Sequence, residues 1–514
     1  MANILICCDG TWNTPENMDK DRPAPTNVRK MFASLSTTDA NGVYQKKYYG
    51  KGVGTTGWKV KRLVEGGLGK GIEIDIQNAY RALGDLYEEG DKVFIIGFSR
   101  GAFTARSLTG MIAVSGLAAF HGGAISDRKK RQVTKYAFNY FHRKKNKAML
   151  AETLMYKSVD VEFLGVFDTV GALGVPSEFN YLLPKFMSGT RYRFPDTDLG
   201  ATIKHARHAI AIDERRRTFS PTLWTKWKKS QDVVQMWFPG VHGDIGGGYA
   251  ENGLSDFPLA WMIGEARKRG LAFEDNFVNQ INGNSQGFLH QSATSIFQRL
   301  RLRPRAVPHF NESEHGASVS PAARNRQQNP PINQPSYWQT KTLKPGEQHT
   351  VLVNAKSRWH PTGLYLKTGQ SYSFHATGKW LDATIETGPE GSSSTFKHFN
   401  PLIALLTGAF QFVANMTWGN GPKGFFPFTR RQPTMPWFAL VGCIANGQGV
   451  NPVDHKLAEH EHFEIGEGHP DDRRKDHKPT ADGFLYCYAN EVWRMYRNNK
   501  GTVRLTITNT TPEN

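Results

Sequence analysis

The sequence predicts two domains of different class: an α/β domain built on a mostly parallel sheet, followed by a β-sandwich. In the first 300 residues, short apolar runs bounded by turn residues alternate with stretches of helical period. This alternation favours a parallel sheet covered by helices on both faces. Beyond residue 346 the apolar period changes to two, in short segments rich in β-branched and aromatic residues. Such segments are typical of an antiparallel sandwich.

The individual elements can be placed from these runs. The predicted strands of the first domain are residues 4–8, 93–97, 161–167 and 233–238. Residues 255–269 are a predicted helix, because Leu259, Met262 and Ile263 fall on one face. The predicted strands of the sandwich are residues 350–353, 363–367, 372–377, 484–488 and 502–508.

The composition between the two domains predicts their boundary. Residues 311–347 are rich in proline, asparagine, glutamine and serine and have no apolar period, which is typical of a linker or a long surface loop. A chain of 514 residues is long enough for more than one core. We therefore expect the α/β domain at 1–315, a linker at 316–346 and the sandwich at 347–514.

Composition excludes two classes of protein. With 39% hydrophobic and 12% aromatic residues and a mean hydropathy of −0.50, the chain is neither disordered nor a polytopic membrane protein.

The N-terminal sequence resembles neither a signal peptide nor a membrane span, so we expect synthesis in the cytoplasm without a signal peptide. The four cysteines are too few for a disulfide framework, and we expect buried thiols. They are Cys7, Cys8, Cys443 and Cys487.

The basic balance of the chain predicts an anionic partner. The formal net charge is +18, which favours nucleic acid or an anionic membrane surface. Residues 128–147 carry nine basic side chains and no acidic one, interleaved with tyrosine and phenylalanine, and a second such cluster lies at 215–229. Cations beside aromatic rings suit a lipid interface, and they suit a nucleic-acid groove as well.

The sequence Gly97-Phe98-Ser99-Arg100-Gly101 lies at the end of a predicted strand and the start of a predicted helix. A G-x-S-x-G motif in this context predicts a nucleophile elbow, in which a tight turn exposes the serine hydroxyl. The glycines are required because the turn is strained. The backbone N–H after the serine is then directed at the oxyanion of an ester intermediate. Ser99 is therefore the predicted nucleophile.

Four sequence blocks extend this motif: DGTWN at 9–13, GFSRGAF at 97–103, FDTVG at 167–171 and WFPGVHGDIGGGY at 237–249. Together they resemble the α/β-hydrolase family that includes the first class of type VI secretion phospholipase effectors. The resemblance implies a phospholipase of type A that hydrolyses membrane phospholipid esters in the periplasm of a target bacterium. It also implies export on a secretion spike protein of the VgrG type and a cognate immunity protein in the producing cell. The serine nucleophile elbow favours a lipid surface over nucleic acid as the partner of the basic clusters.

A serine nucleophile needs a histidine base, and the histidine needs a carboxylate that fixes its tautomer. Two pairs obey the order Ser, Asp, His that this fold uses. We expect Asp244 and His290 to serve Ser99, because such hydrolases place the acid two strands after the nucleophile and the resemblance places a His-x-Ser segment at His290. Asp168 and His242 are the alternative pair, and under the first assignment they support the site.

The oxyanion of the intermediate needs two backbone donors. We expect the N–H of Arg100 to be one of them and the N–H of Gly10 or Thr11, after the first strand, to be the other. This chemistry requires no cofactor.

Several segments of the second domain resemble the PA-I-type galactophilic lectins. They are residues 359–372, 439–442, 463–466 and 483–501. The resemblance implies sugar binding through a calcium ion held by side chains of the last loop. Asn498 and Asn499 match those ligands, whereas Glu491 stands where the family has an aspartate. These three residues are the calcium candidates of the chain.

Two other functions remain open from the sequence. The first is a cytosolic carboxylesterase that acts on soluble esters. The second is a lectin-like protein that binds a membrane or a carbohydrate and has an inert hydrolase domain. Residues 401–422, which carry no charged side chain, are expected either to pack within their domain or to touch a membrane.

Overall fold

The structure is a computed structural model in which the chain divides into two compact units. The first unit comprises Met1–Thr294, Phe310–Ser336 and Gln448–Ala458, and the second comprises Ser295–His309, Tyr337–Gly447 and Glu459–Asn514. The structure describes residues 1–10, 16–51, 67–121, 125–143, 155–170, 198–293, 302–313, 316–392, 430–447, 449, 457–468 and 475–513.

The first unit is built on a parallel sheet of seven strands. The strands of the unit are β1 (Asn3–Cys8), β2 (Met18–Asp19), β3 (Arg22–Pro23), β4 (Gln45–Gly50), β5 (Lys92–Phe98), β6 (Leu117–Ala118), β7 (Met155–Tyr156), β8 (Val161–Phe167), β9 (Ile203–Ala211), β10 (Asp232–Phe238) and β11 (Ala317–Val319). The sheet order is β11-β10-β9-β8-β5-β1-β4, and every pair is parallel. β2 pairs with β3 and β6 with β7 as short antiparallel ribbons.

Helices cover both faces of this sheet, as the sequence predicts. The helices are α1 (Asn27–Ser34), α2 (Gly67–Leu86), α3 (Arg100–Ser115), α4 (Asp127–Arg143), α5 (His242–Gly246), α6 (Asp256–Arg267), α7 (Asp275–Val278) and α8 (Pro321–Gln328), with a 3₁₀ turn at Arg217–Phe219. Buried residues of α2, α3 and α4 form one hydrophobic core with the sheet. Buried residues of α1 and α6 form a second core on it. The strands β1, β5 and β8 in the middle of the sheet are buried on both faces, and their sequences are therefore nearly continuous apolar runs.

The linker predicted at 316–346 is wrong. Its first half contains β11, which pairs with β10 at the sheet edge, and α8, whose first turn is capped by the Ser320 hydroxyl. At Tyr337 the chain enters the second unit. The sequence hides these elements because β11 has only three residues, and α8 buries only Ala322, Ala323 and Arg326, too few to produce an apolar period.

The second unit is the predicted β-sandwich. Its strands are β12 (Gln348–Asn354), β13 (His360–Leu366), β14 (Tyr372–Thr377), β15 (Trp380–Asp382), β16 (Ile385–Thr387), β17 (Leu440–Ala445), β18 (Glu461–Glu464), β19 (Gly483–Ala489) and β20 (Lys500–Asn509). One sheet has the order β12-β20-β15-β16, with β14 also paired to β20, and the other has the order β13-β19-β17-β18. Their buried side chains form one core. The expectation for residues 401–422 lies outside the described residues.

All four cysteines are buried thiols, as expected.

Arg326 connects α8 to the loop that precedes residue 290. Its side chain is 1% exposed and donates to the carbonyl oxygens of Ser285 at 2.6 Å and Gly287 at 2.9 Å, and to Oε1 of Gln334 at 2.6 Å. The backbone N–H of Leu289 donates to the same Gln334 oxygen at 3.0 Å. The segment that the sequence reads as a linker therefore holds a loop of the α/β unit in place.

Replacing Arg326 with methionine should destabilise the first unit. The change keeps the length of the side chain but removes three hydrogen bonds and leaves the carbonyl oxygens of Ser285 and Gly287 without this donor. We expect a cost of about 3 kcal/mol in the free energy of unfolding. Denaturant unfolding of Arg326→Met, with Gln328→Met on the exposed face of α8 as the control, measures this. Equal stability of the two variants would contradict the assigned role.

Candidate active site

The predicted nucleophile lies in a strained turn between a strand and a helix. Ser99 stands between β5 and α3 with φ 58° and ψ −121°, a conformation that costs a residue with a side chain about 1–3 kcal/mol. A Cβ at position 97 would lie 2.6 Å from the carbonyl oxygen of Gly101, and a Cβ at position 101 would overlap the carbonyl oxygen of Cys8. Glycine is required at both positions because α3 begins in contact with the end of β1. The turn has the geometry of a nucleophile elbow.

Two hydrogen bonds join Ser99 to a histidine and an aspartate. Oγ of Ser99 lies 2.8 Å from Nε2 of His242, and Nδ1 of His242 lies 2.6 Å from Oδ2 of Asp168. Asp168 follows β8, the strand adjacent to β5, and is fully buried. Its other oxygen accepts the backbone N–H of Ala211 at 3.0 Å. The carboxylate therefore holds a proton on Nδ1 and leaves Nε2 free to accept the serine proton.

His242 is the first residue of α5 and is enclosed by aromatic rings. Its ring centroid lies 4.8 Å from that of Phe98 and 4.9 Å from that of Phe219. Burial lowers the pKa of His242 below its ordinary value, and the neighbouring Asp168 carboxylate counteracts that effect. The imidazole is therefore neutral at neutral pH, which is the form a general base needs.

The structure does not bring the expected pair, Asp244 and His290, to Ser99. These two residues bond to each other, with Nδ1 of His290 2.6 Å from Oδ1 of Asp244. Oδ2 of Asp244 accepts the backbone N–H of Val241 at 2.9 Å. The expectation that His290 contacts the serine is therefore corrected. The chain order Ser, Asp, His fits both pairs, but the acid of the hydrogen-bonded chain follows the strand next to the nucleophile, not the second strand along.

The expected oxyanion donors have different positions. Arg100 is the first residue of α3, so its backbone N–H lies at the positive end of that helix beside Ser99. The N–H of Gly10 donates to Oδ1 of its neighbour Asp9 at 2.6 Å, so it already has an acceptor. The structure therefore does not support Gly10 as the second donor. Thr11 lies outside the described residues.

A buried ion pair beside His242 was not recognised in the sequence. Glu214 is fully buried and accepts two hydrogen bonds from the Arg216 guanidinium, at 2.9 and 2.7 Å. The backbone N–H of His242 also points to Glu214, at 3.4 Å. The Arg216 guanidinium lies 3.5 Å above the Phe219 ring. Arg216 therefore supports the site from within, although the sequence suggested a surface cation. Glu214, an acidic residue two positions before Arg216, is the feature of the sequence that could have indicated this ion pair.

The other basic cluster lies mainly on α4. Arg128, Lys129, Arg131 and Lys135 are exposed, whereas the phenylalanines of this helix, 138 and 141, pack into the core. Lys144, Lys145 and Lys147 of the cluster lie outside the described residues. Among the described residues, no helix is both long enough and apolar enough to cross a membrane.

The calcium candidates lie in a buried polar cluster of the second unit. Asn498 donates from Nδ2 to Oδ1 of Asp382 at 2.8 Å. Burial and the nearby charge of Asp382 raise the pKa of Glu491 to about 8. Within the described part of the chain, Oε2 of Glu491 and Oδ1 of Asn499 are both buried and have no hydrogen-bond partner. Asp382 is a member of this cluster that sequence reasoning missed, because it lies more than 100 residues before the others.

The parallel sheet, the strained turn after β5 and the hydrogen-bonded serine, histidine and aspartate define the α/β-hydrolase class. Residues 2–265, slightly more than half of the chain, match the model of the catalytic domain of the Tle1-like phospholipase effectors of the type VI secretion system. The chain belongs to this family.

Three similar proteins illustrate its relationships. The uncharacterized protein YEL023C of Saccharomyces cerevisiae is 27% identical over 251 residues, which cover 43% of this chain and 33% of that protein. The solved Tle1 effector bound to the VgrG spike is 21% identical, with a TM-score of 0.31, over 49% of this chain and 51% of that one. A PllA-like lectin, the EclA N-terminal domain, is 15% identical, with a TM-score of 0.19, over 31% of this chain and 95% of that one. The chain thus spans about a third of the yeast relative.

The low pKa of His242 should appear in the pH dependence of activity. A protonated imidazole cannot accept the serine proton, so a lowered pKa extends activity to lower pH. We expect the acid limb of kcat/KM on a soluble ester to lie below pH ~6.5, the ordinary value for histidine. Phe219→Ala, which hydrates the ring, should move the limb upward. A wild-type limb at or above that pH would contradict the assignment.

Proposed function

We propose that this protein is a serine-dependent phospholipase of type A, which hydrolyses carboxylic esters of membrane phospholipids as an antibacterial type VI secretion effector. The observation that carries the proposal is the hydrogen-bonded chain from Ser99 through His242 to Asp168. Membership of the phospholipase effector family supports the lipid substrate and the secretion route.

The geometry supports an acyl-transfer mechanism. Oγ of Ser99 attacks the ester carbonyl while Nε2 of His242 takes its proton. The resulting imidazolium is stabilised by the Asp168 carboxylate, and the N–H of Arg100 is placed to donate to the oxyanion. His242 then returns the proton to the leaving alcohol, which is a lysophospholipid. Water attacks the acyl-enzyme by the same route and releases the fatty acid.

The proposed partners follow from this role. The substrate surface is a phospholipid membrane of the target cell, where the exposed basic face of α4 is suited to anionic headgroups. The enzyme is made in the cytoplasm and delivered to the target periplasm by a spike protein of the VgrG type. A cognate immunity protein protects the producing cell. We propose no nucleic-acid partner.

Fatty-acid release from phospholipid vesicles tests the function and the assignment together. We expect Ser99→Ala, His242→Ala and Asp168→Asn each to lower the rate by roughly 10³-fold or more, because these residues act as one unit. Ser107→Ala, the same change on α3 at another buried serine, is the control.

Two outcomes would count against this account. If the wild type hydrolyses short soluble esters but not vesicles, it is a carboxylesterase. If it binds membrane or carbohydrate without hydrolysing any ester, it is a binding protein.

We also propose that the second unit holds a calcium ion. Two buried carboxylates lie beside amide side chains, and two buried oxygens have no hydrogen-bond partner among the residues that the structure describes. This set fits the hard oxygen ligands that calcium prefers. Asp382, Glu491, Asn498 and Asn499 would supply those ligands. The ion would neutralise the paired carboxylates and cross-link the last loop to β15, and it takes no part in ester hydrolysis.

Calcium should therefore raise the thermal unfolding midpoint of the full-length protein. We expect Glu491→Gln to abolish the calcium-dependent shift, because it removes one of the two buried charges. Glu386→Gln, at an exposed carboxylate of the same unit, should keep it. Calorimetric titration with calcium chloride gives an independent readout, and a wild type that neither binds calcium nor shifts would refute the site.

A further inference from the structure

The five-residue helix α5 carries two histidine–aspartate pairs, of which the proposed mechanism uses only one. His242, its first residue, bonds to Asp168, and Asp244, two residues later, bonds to His290. Both bonds join Nδ1 to a carboxylate oxygen at 2.6 Å. A helix this short has little hydrogen bonding of its own to fix its position. The second pair is therefore well placed to hold the first.

Asp244 fixes the start of α5 directly. Its Oδ2 accepts the N–H of Val241, the residue immediately before His242, while its own N–H donates to the carbonyl oxygen of Val241 at 2.8 Å. This reciprocal bonding closes the turn from which the His242 side chain projects. The orientation of the Asp244 carboxylate therefore sets the backbone conformation next to the general base, His242.

His290 in turn fixes the Asp244 carboxylate. His290 is buried, its ring stacks on Tyr249 with centroids 3.8 Å apart and planes 7° apart, and Nδ1 donates to Asp244. The Tyr249 ring packs on Gly243, where a Cβ would come within 2.5 Å of it. The stacked rings of His290 and Tyr249 therefore cover Gly243, the residue between His242 and Asp244.

The segment that carries His290 makes a second contact with the base. The Ser292 hydroxyl donates at 3.0 Å to Oε1 of Glu214, whose other oxygen faces the backbone N–H of His242. The segment is itself held by Arg326 of α8 and by Gln334, which follows that helix, because both bond to the loop just before it. Gln291, between the two contacts, is exposed.

We propose that His290 and Ser292 are positioning residues that clamp α5 and so align His242 with Ser99. The proposal rests on the proposed ester hydrolysis. His290 takes no proton from the serine. It acts through Asp244 on the backbone next to His242. Ser292 acts through Glu214 on the backbone N–H of His242.

The test is steady-state hydrolysis of a soluble ester by full-length His290→Ala, His290→Asn, Ser292→Ala and Gln291→Ala, over a range of pH. We expect His290→Ala to lower kcat by about 10- to 100-fold with little change in KM, because misalignment of the base affects the chemical step. Its acid limb should move to higher pH, since a loosened α5 lets water reach His242 and relieves the burial that lowers its pKa.

Controls separate alignment from general damage. Asn places an amide donor near the position of Nδ1, so His290→Asn should recover much of kcat and return the limb toward the wild-type pH. Ser292→Ala should show a smaller loss in the same direction and serves if His290→Ala fails to fold. Gln291→Ala should match the wild type.

Three outcomes decide the matter. Lower kcat, a shifted limb and rescue by asparagine support the clamp. The clamp is overturned if His290→Ala keeps the wild-type kcat or an unmoved acid limb, or if His290→Asn does not recover kcat. A wild type that is itself no faster than Ser99→Ala overturns the proposed function instead, so the two failures are distinguishable.

Discussion

The site depends on one close approach of backbone to backbone. The first turn of α3 lies against the end of β1 and the end of β5, and neither position 97 nor position 101 has room for a Cβ. This contact forces Ser99 to a positive φ and presents its hydroxyl at the carboxyl edge of the parallel sheet. Asp168 follows β8 and His242 follows β10, so both lie at that same edge. The strained backbone conformation is therefore that of the nucleophile itself, Ser99.

The two histidine–aspartate pairs show that the pair alone does not define a catalytic dyad. Both have short bonds between Nδ1 and a carboxylate, and both histidines are buried. They differ in what faces Nε2: a serine hydroxyl lies there for His242, whereas Nε2 of His290 has no hydrogen-bond partner among the described residues and lies 3.9 Å from the Glu251 carboxylate. A catalytic role therefore depends on the serine that faces Nε2 of the histidine and on the position of that serine in the fold.

The sequence predicted both fold classes, nine strands to within three residues each and the elbow, because these depend on local apolar period and on glycine at fixed spacing. It favoured Asp244 and His290, the pair that the structure does not bring to Ser99, because both pairs obey the same chain order and only the fold sets their distance from Ser99. It missed β11 and α8, whose buried residues are too few to show a period. It also missed Asp382, which joins the polar cluster of the second unit only through tertiary contacts.

Covalent labelling of Ser99 by a fluorophosphonate, followed by mass spectrometry of the labelled peptide, tests the central claim most directly. Labelling requires a serine activated by its base, so it reports which histidine serves Ser99. The account predicts labelling at Ser99 in the wild type, its loss in His242→Ala, and slower labelling that still proceeds in His290→Ala. Labelling that persists in His242→Ala and disappears in His290→Ala would contradict it.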